Sequence, residues 1–403
     1  MEKKTDIRDI SVEDLQKFCA THKLPKFRAK QVWEWLWKKR ATSFDEMTSL
    51  SKVMRDLFAE HYSINPVKIH KGERSVDGTI KYSLQLHDKL LVEGVLIPSK
   101  NRLTACVSSQ VGCSLACEFC ATGTLKLERN LTASEIYDQV FILNEEAISN
   151  FGKPLSNIVF MGMGEPLLNY KALLSSINFI TTEQGMGMSP KRITVSTAGI
   201  SKMIKKLADD QVRFNLAISL HSASDSKRDI LMPINQKINL EELRDSVRYF
   251  YDKTGSRITY EYILFKDLND SIEDAQKLAQ FAKASPCKIN LIEYNTVDDL
   301  PYEKSSNRVT DNFIKYLEER NILVTLRKSK GKDINAACGQ LVNKLKIPIK
   351  KIAIEFNREI VDKKKKPYQP DKSALPPNFK DPQSQEKYLN TYQYYIIKCI
   401  IYY

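Results

Sequence analysis

The chain has 403 residues, enough for one large catalytic domain and one or two smaller pieces at ~100 to 200 residues per domain. Its 42% hydrophobic and 28% charged residues exclude a disordered chain, and no apolar run approaches a membrane span. A formal charge of +13 favours a polyanionic partner through phosphate neutralisation and counterion release. The opening Met1-Glu2-Lys3-Lys4 leads into polar residues rather than an apolar signal core, so a cytoplasmic, membrane-free protein is expected.

Residues 1–80 read as a mainly helical accessory domain. Ser11-Val12-Glu13-Asp14 resembles a helix start, and Ala29 to Arg40 is a strong helical stretch. Trp33 and Trp37, at i and i+4, share a face and suit core anchors more than base-stacking platforms, while Trp35 points elsewhere. Residues 81–100 alternate like strands, as in Lys81-Tyr82-Ser83-Leu84-Gln85-Leu86, and form a β lead-in.

From residue 101 strands and helices alternate. Strands are expected to start near Leu103, Asn157, Ile193, Phe214, Ile258, Lys288 and Leu323. Helices fit Ser134 to Ile148, Ala172 to Thr182, Ile200 to Asp209, Leu240 to Tyr251, Glu273 to Ala284 and Val309 to Arg320. The fold class is therefore α/β: a partial (βα)6-type barrel over 101–345, with active groups at the carboxyl ends of its strands. Beyond it, 346–403 is an irregular, basic, proline-containing extension of no assigned role. Residues 341–403 carry 13 Lys and Arg against 6 Asp and Glu, hence +7 of the +13. The run Lys363 to Lys366 reads as solvated.

Three of the eight cysteines cluster as Cys113-Ser114-Leu115-Ala116-Cys117-Glu118-Phe119-Cys120, a C-x3-C-x2-C spacing just after the first barrel strand. Three thiolates leave one metal position open, whereas a structural zinc site prefers four closed ligands. In a 4Fe-4S cluster that open iron can chelate the amino and carboxylate groups of S-adenosylmethionine (SAM). A zinc site completed by Cys106 or a distant histidine, and a chance group of core cysteines, are the competing readings. The spacing closely resembles the signature of the radical SAM superfamily, and the βα context agrees with it.

Other strand ends offer weaker candidates. In Phe160-Met161-Gly162-Met163-Gly164-Glu165-Pro166 small residues let a ligand approach the backbone, and Glu165 can receive an ammonium group. Ser196 can reach a ribose hydroxyl; Ser219, Leu220 and His221 end one strand and Asn295 another. Singly, each reads as well as a turn, a cap or a satisfied structural residue. Glu93, an acid within the apolar run Leu90 to Ile97, should have a raised pKa and be able to accept a proton, unless it faces water at a strand edge.

Two further blocks narrow the choice: Thr104-Ala105-Cys106-Val107-Ser108-Ser109-Gln110-Val111-Gly112-Cys113, and Gly331-Lys332-Asp333-Ile334-Asn335-Ala336-Ala337-Cys338-Gly339-Gln340-Leu341. With Phe27-Arg28-Ala29-Lys30-Gln31 and Arg129-Asn130-Leu131-Thr132, they resemble the RlmN/Cfr family of radical SAM RNA adenine methyltransferases over most of the chain.

That resemblance implies that one SAM methylates Cys338 and a second yields a 5′-deoxyadenosyl radical that takes hydrogen from the new methyl group. The methylene radical then adds to adenine, and Cys106 resolves the protein-RNA adduct, leaving a Cys106–Cys338 disulfide to be reduced each turnover. It makes Glu93 the proton acceptor and places Gly164, Glu165, Ser196, Ser219, Leu220, His221 and Asn295 around SAM. Cys113, Cys117 and Cys120 hold one 4Fe-4S cluster. The implied partners are 23S rRNA at the peptidyl-transferase centre, tRNA at the adenosine 3′ to the anticodon, and a flavodoxin- or ferredoxin-type electron donor; the implied state is a monomer. RlmN-type members act on C2, Cfr-type members mainly on C8. The full N-terminal region, with Phe44-Asp45-Glu46-Met47-Thr48, favours the RlmN type and an RNA-binding role for residues 1–80. Two alternatives stay open: Cfr-like C8 methylation and a zinc-containing RNA-binding module.

Overall fold

A computed structural model describes residues 4–297 and 300–342; the extension expected at 346–403, with Lys363 to Lys366, lies outside the described residues. Three helices open the chain: α1 (Val12–Thr21), α2 (Phe27–Trp37) and α3 (Lys52–His61). Ser11 caps α1 as its sequence suggests, its Oγ accepting the N–H of Asp14 at 3.0 Å. The second helix stops short of the expected Arg40, which adopts a left-handed conformation (φ 51°) and turns the chain away.

Among the described residues ten strands build the main sheet: β1 (Lys68–Arg74), β2 (Ile80–Gln85), β3 (Leu91–Ser99), β4 (Arg102–Cys106), β5 (Asn157–Phe160), β6 (Ile193–Thr197), β7 (Asn215–Ser219), β8 (Ile258–Leu264), β9 (Cys287–Glu293) and β10 (Leu323–Arg327). They form one sheet whose spatial order is their chain order. β4 to β10 are parallel. β1 to β3 continue the sheet antiparallel from β4. Between the parallel strands lie α4 (Ala133–Phe151), α5 (Tyr170–Thr181), α6 (Ser201–Asp209), α7 (Asp225–Leu231), α8 (Leu240–Thr254), α9 (Ile272–Phe281) and α10 (Asn307–Glu318). The α/β partial barrel is thus present as six strand-and-helix units and a closing strand.

Every strand start read from the sequence falls within a residue of the observed one. The physical reason is burial: Ile193, Val195, Leu216, Ile218, Ile258, Tyr260, Ile289 and Leu291 are wholly shielded from solvent. Covered strands of a parallel sheet carry near-continuous apolar runs, and each such side chain contributes about 1.5–3 kcal/mol on burial. β1 differs from the helical reading of its region. It is an edge strand, exposed along nearly its whole length, so no alternation marks it.

The opening helices dock on α4 and α5. Trp37 is fully buried and stacks on Phe179 at 3.5 Å and 9°, with Trp33 also against that ring. Trp35 turns outward to donate to Ser49 Oγ at 2.8 Å. Asp138 of α4, shielded from water, accepts from Arg8 at 2.9 Å, Arg40 at 3.2 Å and the Val67 N–H at 3.0 Å. A buried acid with three donors fixes the junction, because any lost partner leaves an uncompensated charge. At the other end of the site-bearing loop, Thr132 and Glu135 cap α4 reciprocally, and Arg129 binds both Glu135 and Asp88.

Candidate active site

The carboxyl ends of β4 to β10 surround a cavity of about 160 Å³. After β4 the chain runs through the cysteine loop, whose backbone is tied outward: Glu118 N–H donates to Leu231 O at 3.1 Å and Ala121 N–H to Gly339 O at 2.7 Å. Cys113, Cys117 and Cys120 all line the cavity. Burial pushes the Cys113 thiol up to about 11 and raises Cys117 and Cys120 as well; Cys120 adds to the rise at Cys113 and, with Cys113, at Cys117, while hydrogen bonds from Gly123 and Thr122 oppose it at Cys120. Three thiolate donors on one loop, all reaching one cavity, match the three cysteine-bound irons of a 4Fe-4S cluster whose fourth iron stays open. Phe119 lines the cavity, edge-on to His221 at 4.8 Å.

Opposite the cysteines lies the turn after β5. Gly164 has φ 94° and a Cβ there would overlap Gln110, whose Oε1 accepts the Glu165 N–H at 2.7 Å. Glycine is required by both conformation and space. Glu165 Oε2 accepts from Ala198 N–H at 2.7 Å and Oε1 from Leu167 N–H at 3.0 Å. Burial raises its pKa, and these N–H groups oppose that. Its remaining lone pairs border the cavity.

Ser196 and Ser219 also face the cavity, their hydroxyls 3.3 Å apart. His221 lines it in a left-handed conformation (φ 54°). Its Nδ1 accepts from Ile263 N–H at 3.1 Å, and burial holds its pKa down at about 3. The ring is therefore neutral with its proton on Nε2. Leu220 is wholly buried behind the wall. Asn295 donates to Cys338 O at 3.3 Å, and its buried Oδ1 has no partner within the protein.

The last group joins distant segments. Cys106 closes β4, buried beside Cys338; burial first, then that neighbour, pushes its thiol up to about 12. Cys338 sits on the cavity wall in the loop after β10. The sequence suggests mobility for this small-residue loop, yet polar contacts hold it at many points. Asp333 accepts from Ser75 Oγ at 2.5 Å and Val76 N–H at 3.0 Å. Asp77 accepts from Gly331 N–H at 3.0 Å, Thr122 Oγ1 donates to Leu341 O at 2.6 Å, and Gln340 Nε2 donates to Thr296 O at 2.7 Å. Glu93, on β3, does not border the cavity; its Oε2 accepts the Val342 N–H at 2.9 Å and Oε1 lies 3.5 Å from Lys81 Nζ. Burial pushes Glu93 up to about 7, while Lys81 and the Val342 N–H pull the other way. The expected Cys106–Cys338 disulfide is not formed: both are free thiols. The reduced pair is the form that can accept a methyl group.

Sequence reading missed two arginines and their supports. Arg228 on α7, almost fully buried, donates to Leu220 O at 3.1 Å, Ala198 O at 2.6 Å and Asn235 Oδ1 at 2.8 Å, knitting two strand-end loops together. Arg327 ends β10 and borders the cavity beside Glu261. A charged residue terminating an apolar strand was the available signal.

This arrangement, an α/β partial barrel with three loop cysteines and a glycine-glutamate turn at its mouth, defines a radical SAM enzyme, and the comparisons agree. Residues 107–282 match the radical SAM superfamily and residues 5–64 the ribosomal RNA large subunit methyltransferase N-terminal domain. A radical SAM methyltransferase from Sphaerobacter thermophilus has a similar structure, with TM-score 0.79 and 38% identity over 84% of this chain and 99% of that one. A probable dual-specificity RNA methyltransferase RlmN of Christiangramia forsetii is 54% identical over 85% of this chain and 97% of its own length. Its counterpart in Flavobacterium psychrophilum is 53% identical over 85% and 98%. The chain belongs to the RlmN family of radical SAM RNA methyltransferases. No helix among the described residues is long and apolar enough to cross a membrane.

Proposed function

We propose that the enzyme methylates C2 of an adenosine in RNA, in 23S rRNA at the peptidyl-transferase centre and in tRNA 3′ to the anticodon, with Cys338 carrying the methyl group. The observation that carries the reading is that Cys106, buried at the end of the first parallel strand, lies beside Cys338, which lines the cavity that the three loop cysteines share. C2 of adenine is not nucleophilic, so direct transfer from SAM fails and a protein-bound carbon has to be supplied to it.

Cys113, Cys117 and Cys120 would hold one 4Fe-4S cluster; a bound SAM supplies a methyl group and, on one-electron reduction by a flavodoxin- or ferredoxin-type donor, a hydrogen-abstracting radical. Glu165, Ser196, Ser219, His221 and Asn295 offer a carboxylate, two hydroxyls, a neutral imidazole and an amide with an open acceptor around that ligand, and Gly164 lets it approach the backbone. Cys338 accepts the methyl group at Sγ and presents it to the base. Cys106, as the thiolate, attacks Cys338 Sγ: the S–S bond forms as the bond from Sγ to the transferred carbon breaks. The electron pair leaves with that carbon, which takes a proton to become the product methyl, and the disulfide is the spent state that a dithiol reductant reopens. Glu93 stands outside the cavity, tied to Val342 in the loop that bears Cys338, and its near-neutral pKa suits it to take up a proton relayed from the thiol pair. The helical N-terminal region and the net positive charge serve RNA binding.

Anaerobic reconstitution with iron and sulfide, followed by mass spectrometry of adenosine from modified RNA, tests the proposal. Iron uptake and 2-methyladenosine are expected. Only 8-methyladenosine would indicate a Cfr-like reaction, and zinc without iron uptake would return the protein to the RNA-binding module; either overturns it.

A further inference from the structure

Arg327 is held from one side and open on the other. Its Nη1 donates to Glu261 Oε2 at 3.0 Å and to Met161 Sδ at 3.8 Å. Glu261 is buried, and its second oxygen accepts Asn290 Nδ2 at 2.8 Å. Its backbone carbonyl takes the N–H groups of Leu220 and His221. The guanidinium is therefore located by β8 and β9 as well as by its own strand. Nε and Nη2 make no hydrogen bond with the described residues, about a third of the side chain is exposed, and the residue lines the cavity. Both thiols of the Cys106–Cys338 pair interact with its charge, Cys338 most strongly.

An arginine carries five N–H donors in a rigid fork. Two are spent on Glu261 and Met161, so three remain at the place where the thiol pair must receive its substrate. Adenine C2 is flanked by two ring nitrogens with free lone pairs, N1 and N3. C8 has one such neighbour, N7, because N9 carries the sugar. Adding carbon to C2 moves electron density onto the ring nitrogens, and a fixed cationic donor stabilises that density without reorganising.

We propose that Arg327 contacts the substrate, donating from Nε or Nη2 to a ring nitrogen beside the adenine carbon that is methylated. This rests on the reading that the base enters between Cys338 and Cys106. Arg327 thereby orients C2 toward Cys338 and disfavours presentation of C8.

The test uses reconstituted full-length wild-type enzyme, Arg327→Met and Arg327→Lys. Each is given RNA stem-loops carrying adenosine, 1-deazaadenosine or 3-deazaadenosine at the target. Single-turnover base methylation is measured, and methylation of Cys338 without RNA is followed separately by mass spectrometry. A charge-assisted hydrogen bond is worth about ten- to a hundredfold, so wild-type should lose that factor with one analogue beyond what Arg327→Met loses with it. Arg327→Met should be slowed on adenosine by a similar factor while Cys338 still gains its methyl group, and Arg327→Lys should recover part of the rate.

Equal sensitivity of wild-type and Arg327→Met to both analogues overturns the contact. Loss of Cys338 methylation in Arg327→Met also overturns it, since the arginine would then serve the thiol. Should Arg327→Met fail to fold because Glu261 is left unpaired, Arg327→Met with Glu261→Gln removes the orphan charge and answers the same question. Failure of the proposed function is distinct: wild-type would not methylate natural adenosine.

Discussion

The two sets of cysteines are built in opposite ways. Cys113, Cys117 and Cys120 lie within one short loop, braced from outside by Leu231 and Gly339. Cys106 ends the first parallel strand and Cys338 lies in the loop after the last, so they meet only because the sheet between them is complete. A local motif needs little beyond its own turn, whereas a long-range pair inherits every error in the fold. The cluster loop is thus the robust half of the site and the thiol pair the adjustable half.

That contrast can be broken most sharply at Cys338. Cys338→Ala should retain iron uptake and abolish both methyl incorporation into protein and base methylation, read by mass spectrometry and spectrophotometry. Any base methylation above background refutes the carrier role.

Cys106→Ala should leave the first half of the reaction intact and stop the second. A covalent protein-RNA adduct through Cys338 is expected, visible as a denaturation-resistant band; free enzyme with normal turnover would remove Cys106 from the mechanism.

Glu93→Gln should slow turnover by about 10²–10⁴-fold, the usual range for losing a proton acceptor. Glu93 acts as a carboxylate, so wild-type activity should rise with pH through about 7, and the variant should lack that limb. The sign for stability is opposite. Its folded pKa is raised, so the neutral form favours the fold, and the contribution declines as pH rises from the ordinary carboxylate range through about 7. A pH series of thermal midpoints for wild-type and variant should converge at low pH if this is right.

The smallest effect is expected at the clasp. Asp333→Ala removes the acceptor for Ser75 and Val76, so hydrogen exchange of amides in 331–336 should quicken severalfold while cluster-loop amides that make no bond to 339–341 are unchanged. Equal acceleration in both would show that the two halves are not independent.

Much of this was legible beforehand. Apolar runs marked the parallel strands because both faces are covered, and the cysteine spacing marked the loop because its geometry is local. Trp33 and Trp37 declared a docking face by their i and i+4 spacing. β1 was not legible: an edge strand exposed on both faces has no pattern to read. Arg327 and Glu261 were equally hidden, since they lie on separate strands and only register brings them together. Glu93 shows the middle case, where burial of an acid in an apolar run was readable but its grip on Val342 was not.

The coincidence of sheet order with chain order has a consequence for synthesis. A polypeptide emerging from its amino end completes the cysteine loop long before the segment that bears Cys338. The hydrogen-abstracting half of the machine is therefore made before its intended target, and assembling iron into an unfinished chain would set a radical loose with nothing suitable to consume it. Late loading of the cluster would turn the linear order of the strands into a safeguard.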